Sequence, residues 1–176
     1  MTLHLHKILC LALCLMLTAC GFKLRGPESV GLPTDAVYLN IGGSGDIGRE
    51  VREQLELTDV TLTQSAQAAD YIIRLGNRRS EREVLSVSPR TGKVQEYELI
   101  LRTTLTITTP KGESVLDTTE LNASRDYIFD ETAVIASGDE QQLLREEMTR
   151  QLANQALLRM RAAIRNHQAA ASAAGE

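Results

Sequence analysis

Cys20 has the most distinctive chemistry in this sequence, because a cysteine thiolate is the strongest nucleophile among the side chains. It comes directly after Leu17-Thr18-Ala19, a stretch that ends in small residues. Upstream lie a basic start at Lys7 and an uncharged apolar run over residues 8–19. This layout is typical of a secretory signal peptide, and the run is shorter than the ~20 apolar residues that a membrane-spanning helix needs. The sequence therefore predicts a signal peptide over residues 1–19 and a mature chain that begins at Cys20.

The stretch Leu17-Thr18-Ala19-Cys20 resembles the lipobox of bacterial lipoproteins. The resemblance implies cleavage before Cys20, once its sulfur carries a diacylglycerol thioether. It also implies more than one acyl chain, and two or three chains hold a protein stably on a membrane whereas one holds it only marginally. Gly21 occupies the position at which inner-membrane lipoproteins carry Asp, so the implied location is the periplasmic leaflet of the outer membrane. The alternative is an ordinary signal peptide that is followed by a chance cysteine.

The inventory of Cys and His restricts the chemistry that remains. Most of these residues belong to the predicted signal peptide: Cys10, Cys14, His4 and His6. With Cys20 used as the anchor, the mature chain keeps only His167 and has no cysteine left for a thiol site or a disulfide. A His/Cys zinc site, a Ser-His-Asp triad and a Cys-His pair are therefore excluded. We expect no metal, no cofactor and no enzymatic activity.

The charge balance argues against a nucleic-acid partner. The chain has 19 Lys and Arg against 23 Asp and Glu, a net charge of −4. Residues 1–19 contain one Lys and no acidic residue, so their removal leaves a net charge of −5. Domains that bind nucleic acids are usually basic. The remaining length is sufficient for one domain with a sizeable core.

The first part of the domain alternates between strands and a helix. Ala36–Ile41 is a predicted strand, and Gly42-Gly43-Ser44-Gly45 ends it. A glycine-rich loop between a strand and a helix invites a phosphate-binding interpretation, but we favour a turn in which Ser44 or Asp46 caps the helix. The helix itself is predicted to have about three turns, because apolar residues recur every four positions: Ile47, Val51 and Leu55.

The centre of the chain is strongly β in character. Short strands are predicted at Val60–Thr63, Tyr71–Leu75 and Val84–Ser88, and strict alternation predicts a long strand over Tyr97–Thr108. Turns at residues 89–92 and 110–113, the second leading into a strand at residues 115–123, are too short for a parallel crossover. We therefore expect an antiparallel meander.

A long helix is predicted over Asp139–His167. Ser137 and Glu140 have the spacing of a capping box at its start, and basic residues are concentrated near its end, where they favour the helix dipole. Its apolar stripe is the following set: Leu143, Leu144, Met148, Leu152, Ala156, Leu157 and Met160. Residues 168–176 form a low-complexity tail that we expect to be disordered.

These elements predict an α+β fold. We expect a two-layer sandwich in which an antiparallel or mixed sheet of four or five strands carries two amphipathic helices on one face. The predicted domain covers residues 35–167, and residues 20–34 form the lipidated N-terminus and tether.

Three stretches together make the chain similar to the LptE family of LPS-assembly lipoproteins: residues 20–26 (Cys-Gly-Phe-Lys-Leu-Arg-Gly), Gly48–Leu55 and Glu96–Leu99. The resemblance extends from Cys20 to about Ile164. It implies a two-helix sandwich that sits as a plug inside the outer-membrane β-barrel LptD. It also implies that the protein helps this barrel to fold and passes lipopolysaccharide to the outer leaflet.

The same resemblance implies direct binding of lipopolysaccharide through basic residues at one end of the sheet. Arg90 matches one of these positions, whereas the second falls on Ser137, so that Lys93 or Arg82 would have to take its place. A guanidinium group offers phosphate oxygens a bidentate fork. The alternative interpretation of this hairpin is a solvated set of charges that prevents edge-to-edge strand pairing.

A second class of function is also open. A periplasmic lipoprotein enzyme or small-ligand-binding module would need a concave pocket with convergent polar groups. The acidic cluster to consider for it is Asp126, Asp130 and Glu131, which lie near Tyr127 and Phe129 in sequence.

Overall fold

The computed structural model describes residues 31–129 and 134–174. The elements in this part of the chain are β1 (Ala36–Asn40), α1 (Asp46–Glu56), β2 (Thr61–Leu62), β3 (Tyr71–Val87), β4 (Val94–Thr108), β5 (Ser114–Ile128) and α2 (Val134–Ala174). The predicted signal peptide, Cys20 and most of the predicted tether lie outside the described residues. None of the helices in the described ranges has both the length and the apolarity that crossing a membrane requires.

The sheet is mixed and has five strands in the order β2-β1-β3-β4-β5. β1 runs parallel to both of its neighbours, β2 and β3, whereas β3, β4 and β5 form the predicted antiparallel meander. The predicted α+β fold with a four- or five-stranded sheet is confirmed. β3 differs from the prediction, because one continuous strand replaces the two short ones at Tyr71–Leu75 and Val84–Ser88.

The core lies between one face of the sheet and the two helices. Successive residues of a strand point to opposite faces. Alternate residues are buried in the first part of β3, at Ile73 and Leu75, and in the second half of β4, including Leu101 and Leu105. The helices contribute the following buried side chains: Ile47, Val51, Leu55, Met148, Leu152, Ala156, Leu157, Met160 and Ile164. The predicted stripe of the long helix is thus largely correct. Leu143 is the exception, because its side chain is 60 % exposed.

The boundaries of α2 differ from the prediction at both ends. It begins at Val134, so that Ser137 lies inside the helix and not at its N-cap. It continues to Ala174, and the prediction that residues 168–176 are disordered is therefore wrong as far as Ala174. Alanine is the best helix former, and Gln168 Nε2 fixes this segment by donating a hydrogen bond of 2.6 Å to the carbonyl oxygen of Pro33.

The hairpin of β3 and β4 extends beyond the rest of the sheet. β1 pairs only with the first four residues of β3, Tyr71–Arg74. A bulge follows between Gly76 and Arg79, and Asn77 there has a φ of 50°. Beyond this bulge, the strand pairings of the described chain give β3 a single neighbour, β4. We call the part of the hairpin from Arg79 to Arg102 the hairpin extension.

Candidate functional site

Arg90 lies at the tip of the hairpin extension, in a turn that its own hydrogen bonds hold in shape. The last paired residues are Val87 and Val94. Ser88 N donates to the carbonyl oxygen of Lys93 at 2.7 Å, and Gly92 N donates to the carbonyl oxygen of Ser88 at 2.8 Å. Gly92 has a φ of +68°, a conformation that suits glycine. The turn therefore presents the exposed Arg90 side chain from a defined backbone.

Arg82 is separated from this turn. Its Cζ lies 4.4 Å from the ring centroid of Tyr97, so a cation–π interaction holds the guanidinium over the ring. Val87 lies five positions after Arg82, which corresponds to ~17 Å of extended strand. Lys93 is exposed and belongs to the Arg90 turn. Of the three predicted contacts, Arg90 and Lys93 thus lie in the same turn, whereas Arg82 lies apart from them, earlier in β3.

An aromatic cluster supports the hairpin extension beneath Arg82. Tyr97 stacks on Tyr127 with ring centroids 5.7 Å apart and an interplanar angle of 25°. Phe129 meets Tyr97 edge-on at 5.5 Å. Phe129 N also donates a 2.9 Å hydrogen bond to the carbonyl oxygen of Gln95, which ties the end of β5 to the start of β4. The end of β3, the start of β4 and the end of β5 therefore lie at the same end of the sheet.

The sheet face opposite the helices is polar. Arg102 Nη1 lies 2.7 Å from Glu81 Oε2, and its Nε lies 3.7 Å from Glu120 Oε1, so one guanidinium links three adjacent strands. Thr106 and Thr118 share a hydrogen bond of 3.0 Å across β4 and β5. Exposed pairs of this kind contribute little stability, but they leave the face hydrated and available to a partner.

The acidic cluster considered for an enzyme does not form as a single group. Asp126 pairs with Glu98, whereas Tyr127 pairs with Tyr97. Because neighbouring residues of a strand point to opposite faces, the Asp126 carboxylate lies on the polar face, away from the aromatic rings. Asp130 and Glu131 lie outside the described residues.

Two cavities bear on the ligand-binding alternative. The larger, about 590 Å³, lies between α1 and α2 and is lined mainly by charged side chains of both signs: Asp46, Arg49, Glu50, Glu53, Arg78, Gln142, Arg145, Glu146, Thr149 and Arg150. Asp46 in this lining pairs with both Arg49 and Arg78, and the polar lining residues present no apolar wall to a small molecule. In the described ranges, no group of three His, Cys, Asp or Glu residues is arranged to hold a metal ion.

The second cavity, about 440 Å³, lies at the end of the sheet away from Arg90. The Tyr71 hydroxyl there is 3.2 Å from His167 Nδ1, and His167 Nε2 is 3.6 Å from Glu113 Oε1. Burial raises the pKa of Tyr71. A hydrogen bond with Gln168 acts in the opposite direction, and the nearby carboxylates of Asp70 and Glu113 raise the pKa further. The arrangement joins α2 to the start of β3 and to the β4–β5 turn.

The glycine-rich loop is filled by the protein's own atoms. Gly43, Gly45 and Gly48 have the G-x-G-x-x-G spacing of dinucleotide-binding loops, which the sequence-based interpretation of a turn did not take into account. Gly45 occupies the N-cap of α1 with no side-chain hydrogen bond, so the predicted cap by Ser44 or Asp46 is wrong. The buried Ser44 Oγ donates instead to the carbonyl oxygen of Ile41 at 2.6 Å.

Charge and packing at this loop both oppose a phosphate. A Cβ atom on Gly45 would lie 2.9 Å from Arg78 Cδ, so the Arg78 side chain already covers the position that a ligand would approach. Asp46 places a carboxylate at the start of α1, where it pairs with Arg49. These glycines therefore allow the loop to approach Asn77 and Arg78 and the start of α1 to approach Ile41, and the loop is not a nucleotide site.

Comparison with known proteins decides between the two classes of function. Residues 34–160 match the family described as "LptE: Lipopolysaccharide-assembly". The chain belongs to the LptE family. The fold and the family that the sequence suggests are thus both confirmed, and the description of the family names lipopolysaccharide assembly.

Relatives in the LptE family cover most of the chain. It is 31% identical over 155 residues to the LPS-assembly lipoprotein LptE of Pectobacterium atrosepticum, a match that covers 85% of this chain and 83% of the relative. It is 32% identical over 157 residues to the LPS-assembly lipoprotein LptE of Yersinia pestis, with 85% and 73% covered.

Two solved structures resemble the LptE-family fold described above. The rare lipoprotein B of Shewanella oneidensis has a TM-score of 0.68 and 30% identity, and the alignment covers 76% of this chain and 99% of that one. The uncharacterized lipoprotein B of Nitrosomonas europaea also has a TM-score of 0.68, with 25% identity and 81% and 91% covered.

Proposed function

We propose that this chain is a lipid-anchored subunit of lipopolysaccharide assembly at the outer membrane, and that it binds lipopolysaccharide at the Arg90 turn. Membership of the LptE family supports the assembly role. The observation that carries the binding site is the position of Arg90. It is an exposed guanidinium at the tip of a hydrogen-bonded turn, on a hairpin that extends past β1.

The chemistry of the turn suits the phosphates of lipid A. A guanidinium is planar, always charged and able to donate two parallel N–H bonds to one phosphate, whereas the ammonium group of Lys93 acts as a point charge. Because the turn is already ordered by bonds among Ser88, Gly92 and Lys93, binding costs little backbone entropy. Arg82 lies too far from the turn to share a phosphate with Arg90, so it is proposed as a separate, secondary contact.

The described chain begins towards the end of the domain opposite Arg90. The carbonyl oxygen of Gly31, at the start of the described chain, accepts a 3.0 Å hydrogen bond from Arg161 Nε. Gln168 binds the carbonyl oxygen of Pro33 near the start of β3. From Tyr71 to Val87, β3 covers ~55 Å of extended strand, so Arg90 lies far from Gly31 and Pro33.

An LptD-like outer-membrane barrel is the proposed protein partner, with the polar sheet face and the hairpin extension as candidates for the contact. The test is extraction of the full-length lipoprotein in mild detergent, followed by mass spectrometry of its N-terminus and of the proteins that accompany it. We expect an acylated Cys20 and an outer-membrane barrel of several hundred residues. An unmodified first residue would refute the anchor, and recovery without any barrel would refute the partnership.

The test of the binding site is Arg90→Ala in the full-length chain, assayed against purified lipopolysaccharide. Loss of a charge-assisted hydrogen bond costs about 1.5–3 kcal/mol, which is roughly a 10- to 100-fold loss of affinity.

Lys111→Ala is the matched control, because Lys111 is exposed in the β4–β5 turn at the other end of the sheet. That turn is closed in the same way, by Gly112 N donating to the carbonyl oxygen of Thr109 at 2.9 Å. Equal affinity of the two variants would contradict the Arg90 site.

A further inference from the structure

The charges of α2 are distributed unevenly along its length. Residues 134–147 contain four acidic residues and one arginine. Residues 148–174 contain no Asp or Glu, and the arginines of this segment are the following: Arg150, Arg159, Arg161 and Arg165. Positive charge is therefore concentrated in the second half of the helix.

The helix dipole does not account for this concentration. Its effect on cations is confined to the last turn of a helix, whereas α2 continues to Ala174 and its last turn contains no basic residue. Arg165 lies nine residues before that end, and Arg159 lies fifteen. Among the residues that the structure describes, no ion pair includes Arg159 or Arg165. Both side chains therefore present their charge to solvent.

Two of these arginines share one side of α2 with an exposed leucine. Residues three, four and seven positions apart lie on the same side of a helix, and Leu158, Arg161 and Arg165 have these spacings. Leu158 is 55% exposed, and Arg165 is exposed as well. We call these three residues the basic face. The side chains buried on the other side of the same segment are Ala156, Met160 and Ile164.

The acidic residues at this end of the domain belong to other elements of the fold: Asp35, Glu56, Asp59, Asp70 and Glu113. The cavity at Tyr71 contains two of them, and Glu113 lies 3.6 Å from His167 Nε2. His167 is about 160° around the helix axis from Arg165, so this cavity lies on a different side of α2. The basic face thus combines positive charge with an apolar side chain and contains no carboxylate.

The basic face lies next to the start of the described chain. Arg161 Nε donates a 3.0 Å hydrogen bond to the carbonyl oxygen of Gly31. Gly31 follows the proposed anchor, Cys20, by eleven positions, and a chain of that length spans at most about 40 Å. A membrane that holds the acyl chains therefore stays within reach of the basic face, at a high effective concentration.

An anionic bilayer surface is the partner that this composition fits. Arginines beside an exposed leucine are typical of helices that lie at a membrane interface, and each basic residue near an anionic leaflet strengthens binding about fivefold. We propose that the basic face of α2 docks on anionic phospholipid headgroups of the leaflet that holds the anchor. Of the proposed function, this inference rests on the lipid anchor alone, and it concerns the end of the domain opposite Arg90.

The test measures how fast Arg165 is chemically modified in the full-length lipoprotein, reconstituted in phosphatidylcholine vesicles with or without phosphatidylglycerol. Phenylglyoxal modifies exposed guanidinium groups, and mass spectrometry locates the modified residues. Arg79 and Arg145 are internal references, because both are exposed. Arg79 lies in the hairpin extension, and Arg145 precedes Arg165 by ~30 Å of helix.

We expect phosphatidylglycerol to slow the modification of Arg165 at least about fivefold relative to both references. Salt at about 1 M, where the Debye length is about 3 Å, should restore the rate. Equal rates on the two kinds of vesicle would overturn the inference. Protection that requires an accompanying outer-membrane barrel, or added lipopolysaccharide, would overturn it as well, because the face would then bind one of those molecules.

Leu158→Ser tests the apolar part of the contact, and Leu143→Ser is its matched control. The two leucines lie in the same helix and are 55% and 60% exposed, but Leu143 belongs to the acidic first half. Leu158→Ser should reduce the protection of Arg165 by up to about fivefold, whereas Leu143→Ser should leave it unchanged. Equal protection in the two variants would contradict docking through this face.

Flotation separates this inference from the anchor. In about 1 M salt, an acylated protein floats with phosphatidylcholine vesicles because its acyl chains are buried, whatever the basic face does. Flotation together with an unprotected Arg165 would refute the docking and leave the anchor in place. Failure to float would refute the anchor, and the reactivity of Arg165 on phosphatidylglycerol vesicles would still decide whether the basic face docks.

Discussion

Gly48→Ala should destabilise this protein, although the same change stabilises most helices. Gly48 lies in the first turns of α1 and is buried. Alanine in a helix interior is normally favoured over glycine by about 0.5–1 kcal/mol. At this position, however, a Cβ atom would overlap Ser44 Oγ and would lie 2.7 Å from Cβ and 2.9 Å from Cγ2 of Ile41.

The expected cost follows from what the new methyl group displaces. Ser44 is fully buried, and its hydroxyl donates to the carbonyl oxygen of Ile41. Moving it aside leaves a buried hydroxyl without its partner, at about 1–3 kcal/mol. Pressing against Ile41 adds an overpacking cost of about 1–3 kcal/mol. After subtraction of the helix-propensity gain, we expect a net loss of about 1–5 kcal/mol in the free energy of unfolding.

Gly138→Ala is a matched control in the same molecule. Gly138 lies within α2, and a Cβ atom there would have no neighbour within 4 Å. This variant should therefore gain about 0.5–1 kcal/mol. Urea unfolding followed by circular dichroism measures both changes. The reasoning is refuted if the two substitutions change stability in the same direction.

A double-mutant cycle tests which contact causes the loss. Ser44→Ala removes the hydroxyl that overlaps the new methyl group, so the two substitutions share one buried contact. Neighbours of this kind couple by about 0.5–3 kcal/mol. Gly48→Ala should therefore cost less in the Ser44→Ala background than in the wild type. An equal cost in both backgrounds would show that the overlap with Ile41, and not the overlap with Ser44, causes the loss of stability.

Two other predictions concern the buried side chain of Leu152 and the titration of Tyr71. Leu152→Ala removes a fully buried side chain of α2 and should lower the free energy of unfolding by about 2–5 kcal/mol, measured in urea; a loss below 1 kcal/mol would contradict its place in the core. The fold raises the pKa of Tyr71. The stability linked to the protonated Tyr71 hydroxyl is therefore fully present below the unfolded-state pKa of about 10, and it is lost as the pH rises through the folded-state pKa. Tyr71→Phe should flatten the decline of stability above about pH 10, and an unchanged slope would contradict this.

The fold could be predicted from the sequence wherever the spacing of apolar residues matched the pattern of burial. Tyr97–Thr108 alternates because one face of β4 packs on the helices, and the strand was predicted nearly whole. The stretch of β3 from Asn77 to Glu83 carries no such signal, since all of its side chains are polar. Its strand geometry comes from pairing with β4, which sequence periodicity does not report.

The ends of α2 were mispredicted for a related reason. A capping-box pattern at Ser137 and basic residues before His167 are local signals, whereas the helix extends past both. Its last turns are held by a contact over a long sequence distance, from Gln168 to the carbonyl oxygen of Pro33. Similarly, the three cations that sequence placed in one hairpin divide into a turn and a strand position, because Tyr97 binds Arg82 separately.

The hairpin extension combines features that a protein without a partner usually avoids. A strand edge with a single neighbour presents unpaired backbone groups to any passing strand, and proteins normally shorten or cover such edges. Here the exposed edge of β3 also carries Val84, Leu85 and Val87. The charged residues Arg79, Glu81 and Glu83 are interspersed along the same strand and oppose edge-to-edge pairing with another copy. Charge therefore protects the strand against pairing with another copy, while its apolar end remains exposed.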